Sequence, residues 1–109
     1  MIEITAVLDE GEVLKACTAS GHARAGKTGT DIVCAAVSVL MRSAACTLSG
    51  KDGITLRYDA PKPGHFTLEA DYTTEGREFL FSVGVFLIEG LALIAEENPN
   101  HCKLTIRRT

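Results

Sequence analysis

The chain has 109 residues, enough to bury the core of one domain and too few for two. Its net charge of -3, from 11 Lys and Arg against 14 Asp and Glu, supplies no general basic field for a polyphosphate backbone, so direct nucleic-acid binding is not expected. The start at Met1-Ile2-Glu3-Ile4 has neither a cationic segment nor a long apolar one, which predicts a cytoplasmic protein. Four cysteines, Cys17, Cys34, Cys46 and Cys102, form no C-x-x-C pair and no regular ligand spacing. That argues against a zinc knuckle or a paired dithiol and for reduced thiols, with Cys17, Cys46 and Cys102 expected as small buried hydrophobes in the core.

Taken in order, Ile2, Ile4, Ala6 and Leu8 alternate with Glu3, Thr5 and Val7 and predict a strand. Asp9-Glu10-Gly11-Glu12 makes a turn, and Val13 to Ala19 a second strand paired with the first as a hairpin. After a glycine-rich loop, Thr30 or Asp31 is a candidate cap for a helix whose core stripe is Val33, Val37, Leu40, Ala44 and Leu48. Ile54 to Tyr58 is a third strand, Asp59 to Gly64 a stiff turn, and Phe66, Leu68, Ala70 and Tyr72 mark the inner face of a fourth. A second helix follows Thr73-Thr74-Glu75-Gly76 and is apolar nearly all round, from Phe79 to Ile94.

Only ten uncharged residues separate Glu78 from Glu89, short of the roughly 20 that cross a bilayer. A buried helix, covered also by the first helix or a second subunit, is therefore expected, with no membrane partner. Asn98-Pro99-Asn100 ends it, and Cys102, Leu104 and Ile106 alternate through a closing strand. The order ββαββαβ predicts an α+β fold: a two-layer domain with two helices packed on one face of a mostly antiparallel sheet.

The loop between the second strand and the first helix permits two incompatible functions. Gly21-His22-Ala23-Arg24-Ala25-Gly26-Lys27-Thr28 satisfies the phosphate-loop pattern G-x-x-x-x-G-K-[ST]. A true phosphate loop starts its helix at Gly-Lys-Thr, whereas Gly29 interrupts here and the better caps come later. The alternating strands also lack the apolar run of a central parallel strand. The rival reading pairs His22 with Cys34, 12 residues apart and bracketing the same loop. Cys34 in a first helical turn would have its thiolate favoured by the helix N-terminus, and exposed backbone N–H groups there would hold an oxyanion.

Gly21-His22, followed by Gly29-x-Asp31-Ile32-Val33-Cys34-Ala35-Ala36-Val37-Ser38, resembles the signature of the bacterial ribosomal-processing cysteine protease family, Prp. The chain length, the element order and the apolar second helix are similar as well. Within the loop, Ala23 to Thr28 stand where family members often carry an aromatic and an acidic residue. The resemblance implies an endopeptidase that removes the N-terminal extension of a large-subunit ribosomal protein during ribosome maturation. It implies His22 as base and Cys34 as nucleophile, places Gly21, Asp31 and Ser38 around the site, and suggests a homodimer. No cofactor is called for. Asp31 either caps the helix or orients His22. Two other functions remain open on the residues: a non-enzymatic module binding a ribosomal protein or RNA through Arg24 and Lys27, and nucleotide binding through the phosphate-loop pattern.

Overall fold

The computed structural model describes residues 1–21, 28–62 and 64–109, with backbone alone for 28–31. The elements follow the expected order: β1 Ile2–Leu8, β2 Leu14–Ser20, α1 Thr28–Leu48, β3 Ile54–Lys62, β4 His65–Tyr72, α2 Arg77–Glu97 and β5 Cys102–Arg108. The sheet order is β3-β4-β2-β1-β5. The two hairpins and the β2/β4 contact are antiparallel, while β5 returns after α2 to lie parallel to β1.

Register aligns the apolar sets. Ile4 lies opposite Ala19, Ala6 opposite Cys17 and Cys17 opposite Leu68, so the residues that alternate inward share one face. Val33, Val37 and Met41 from α1, and Leu87 and Leu91 from α2, pack on that face. A second cluster, Val13, Leu48, Ala70 and Leu80, fills the end where α1 stops and α2 begins. The opposite sheet face stays outside the core, which gives two layers. Gly84 lets α2 press against β2, because a Cβ there would come within 2.8 Å of the Leu14 Cβ.

Three expectations are corrected. The helix α1 begins at Thr28, not at a cap on Thr30 or Asp31, and takes Gly29 inside it. A helical glycine costs about 1 kcal/mol, which weakens a first turn without forbidding it. The strand β3 runs through Asp59-Ala60-Pro61-Lys62, where a turn was expected. It is an edge strand, and an edge accommodates proline because one row of its N–H groups faces solvent. Finally, α2 has the length and mean hydropathy, 2.0, of a membrane-crossing helix. Leu80, Gly84, Leu87 and Leu91 nevertheless form a stripe buried inside the domain.

The β1–β2 turn is tied to the sheet by Asp9. Its Oδ1 accepts from the Gly11 N–H at 2.8 Å and the Val13 N–H at 3.0 Å, and its Oδ2 accepts from the Tyr72 hydroxyl. The Tyr72 hydrogen bond, aided by the two backbone donors and opposed by desolvation, holds the Asp9 carboxyl below its ordinary range. A depressed carboxyl contributes stability above the unfolded pKa, about 4, and loses it as pH falls through the lower folded value. Asp9→Asn should therefore cost about 1 kcal/mol at pH 7 and less at pH 3, read by urea unfolding at both pH values. An equal deficit at both would show that the charge contributes nothing.

Candidate active site

The chemistry is set by how α1 lies across the ends of β1, β2 and β4. Val33 and Val37 are buried and fix the rotation of α1 against the sheet. That rotation turns Cys34 and Ser38, four residues apart and so on one face, into a cavity of ≈ 310 Å³. Ile2, Ala19 and Phe66 form its apolar floor, and Gly21 and Gly64 its rim at the strand ends. Cys34 and Ser38 are both half-buried, accessible from the cavity but backed by the core.

Of the residues singled out from the sequence, Gly21, Cys34 and Ser38 meet at this cavity. Asp31 is the fourth residue of α1, one turn before Cys34, and so stands within the helix and not at its cap. Its side chain lies outside the described residues, as do His22, Arg24 and Lys27. Cys34 is the seventh residue of α1, in its second turn and not its first. The unpaired N–H groups of a helix are its first four, and the dipole's influence fades within one turn. Activation of Cys34 by the helix end, and an oxyanion site built from that end, therefore lose their structural basis.

Sequence reasoning missed Gly64 and the joint role of Ile2, Ala19 and Phe66 as cavity floor. Their inward phase was readable from strand alternation. Their convergence was not, because it depends on β2 pairing with both β1 and β4.

The other thiols differ. Burial pushes Cys17 up to about 12, so it stays protonated at neutral pH. Burial also raises Cys102, with a smaller contribution from the charge at Cys34. Cys46, expected in the core, is exposed. It follows the buried Ala44 and Ala45 by only one or two positions, which turns it around the helix to the solvent side. Iodoacetamide at pH 7 should accordingly label Cys34 and Cys46 and spare Cys17 and Cys102, as read by peptide mapping. In a Cys46→Ala background, Cys34 should be the single labelled site, and labelling of Cys17 would contradict the burial assignment.

The phosphate-loop reading gains a helix that starts at Thr28 and loses its strand. Strand β2 is antiparallel to both neighbours, whereas a phosphate loop ends a parallel strand. The cavity beside it is apolar, the wrong lining for a polyphosphate. Among the described residues, no three His, Cys, Asp or Glu side chains converge to hold a metal ion.

A helix-borne thiol opening onto an apolar cavity, on a two-layer α+β frame, is an arrangement that suits a thiol peptidase. Residues 1–103 match the family described as Cysteine protease Prp, and the chain belongs to that family. It is thus an enzyme, which sets aside a purely binding role. The crystal structure of SMU.848 from Streptococcus mutans is similar at 28% identity and a TM-score of 0.83, covering 100% of this chain and 96% of that one. Two structures of the essential ribosomal processing protease Prp from S. aureus share the fold. One holds a substrate peptide, at 19% identity, and the other a covalently linked product peptide, at 20%. Each has a TM-score of 0.81 and covers 98% of this chain and 100% of its own. No curated protein matches the chain.

Proposed function

We propose that this protease removes the N-terminal extension of a large-subunit ribosomal protein in the cytoplasm, as a homodimer, with His22 as base and Cys34 as nucleophile. The observation that carries the reading is that Cys34 and Gly21, the residue directly before His22, line one cavity. In this scheme His22 takes the Sγ proton and the thiolate attacks the scissile carbonyl carbon. The tetrahedral intermediate then expels the leaving amine, which receives its proton from His22. Water, deprotonated by the same imidazole, hydrolyses the thioester and frees the new carboxylate. The dimer is supported by the apolar residues that α2 leaves exposed, among them Phe79, Val85, Phe86 and Leu93.

The test is to incubate the purified chain with a ribosomal protein carrying its extension and to weigh the products. One cut, at the junction of extension and mature protein, is the expected result. An intact substrate after prolonged incubation would overturn the proposal.

A further inference from the structure

The β2/β4 ladder runs to the pair Ser20 and His65, and one residue further the Gly21 N–H donates to the Gly64 carbonyl at 3.0 Å. The two strands are thereby clasped at the rim of the cavity that holds Cys34. Neither glycine has room for a side chain. A Cβ on Gly64 would lie 2.1 Å from the Gly21 carbonyl oxygen, and one on Gly21 would lie 2.7 Å from the Ile2 Cα. Gly64 also has φ of 81°. A turn alone would ask only for that positive φ, which asparagine also adopts. The 2.1 Å approach admits glycine and nothing else.

The geometry points to Gly64 as a positioning residue for peptide processing. Its missing side chain lets the β3–β4 hairpin lock onto Gly21, and the lock sets the width of the cleft in which a peptide lies against Cys34. This inference rests on the peptide-processing reading of the cavity. The two walls are held separately: α1, with Cys34 and Ser38, is anchored by Val33 and Val37 in the core, while the opposite rim is held by the clasp. A methyl group forced between Gly64 and Gly21 thus moves one wall and leaves the thiol where it is. Displacing a bound peptide by about 1 Å is enough to cost roughly a hundredfold in turnover.

The experiment uses Gly64→Ala and Gly64→Asn. For both, kcat/KM on the extended substrate should fall about a hundredfold per folded molecule, with iodoacetamide labelling of Cys34 within about twofold of wild type. Gly53→Ala is the control. Gly53 has φ of 78°, and a Cβ there would lie 2.4 Å from the Gly76 nitrogen, so the substitution is equally strained. It sits at the other end of β3, about 30 Å away, and should lose stability while processing at the wild-type rate per folded molecule.

Wild-type processing by folded Gly64→Asn would overturn the inference. So would labelling of Cys34 that falls in step with cleavage, since the loss would then lie in the thiol or its proposed base and not in the placement of the peptide. Should neither variant fold, amide exchange on the wild-type chain decides: the Gly21 N–H should exchange at least tenfold more slowly than an open amide, and unprotected exchange would overturn the clasp. Failure of the wild-type chain to cleave would instead overturn the processing reading itself, and the Gly21 amide still reports on the clasp.

Discussion

Cys34→Ala is expected to reduce cleavage by about ten-thousandfold or more while leaving the fold intact. Alanine offers no atom that can form the thioester, so what remains is only the acceleration that binding and orientation supply. The structural cost is small because Cys34 is half-buried on the cavity side, where the lost sulfur enlarges an existing space. The loss of stability should stay below about 1 kcal/mol. Cys102→Ala provides the opposite pattern: a buried thiol in the core is removed, stability falls, and activity per folded molecule is kept. With the helix end too far from Cys34 to activate it, the proposed base carries more of the burden. His22→Ala should lower turnover by about a thousandfold. Cleavage by Cys34→Ala at the wild-type rate would end the nucleophile assignment, and cleavage unaffected by His22→Ala would end that of the base.

The second large effect contrasts two neighbours on α2. Leu87 is 1% exposed and packs in the core against α1 and the sheet, whereas Phe86 is 74% exposed. Leu87→Ala should destabilise the domain by about 3 kcal/mol, a transfer loss plus a cavity that the surrounding helices and sheet fill only in part. Phe86→Ala should change monomer stability by less than about 0.5 kcal/mol, because its ring has little to lose inside the chain. If α2 forms the proposed dimer face, the same substitution should raise the dimer Kd by roughly tenfold or more, as read by sedimentation at several concentrations. Unchanged association would remove Phe86 from the interface. Urea unfolding of the two variants separates the roles, and equal destabilisation would mean the helix is rotated from the orientation described.

Three of the residues picked out in the sequence, Gly21, Cys34 and Ser38, meet at one cavity. The spacing of Gly21-His22 and Cys34 singled out the loop, and Ser38, one turn beyond Cys34, shares its cavity wall. Gly29 misled, because a cost of about 1 kcal/mol for a helical glycine was taken as enough to delay the helix, and it is not. The shift is only three to four residues in helix start, yet it moves Cys34 from the first turn to the second, away from the helix end. Cys46 misled for a similar reason. Helical periodicity places it off the core stripe, but the count of cysteines alone made it a core thiol.

What the sequence determined by itself is the local part: seven elements in order, the inward phase of β1, β4 and β5, and a thiol and imidazole bracketing one loop. These follow from periodicity and turn chemistry, which act over a few residues. Only the tertiary structure decided which side of the apolar α2 is buried, because a helix without a polar face carries no mark of its orientation. It alone brought Gly64 against Gly21 and set Ile2, Ala19 and Phe66 beneath Cys34. Those contacts join residues far apart in the chain through the pairing of β2 with β1 and β4, and strand pairing is a choice among distant partners that no local pattern encodes.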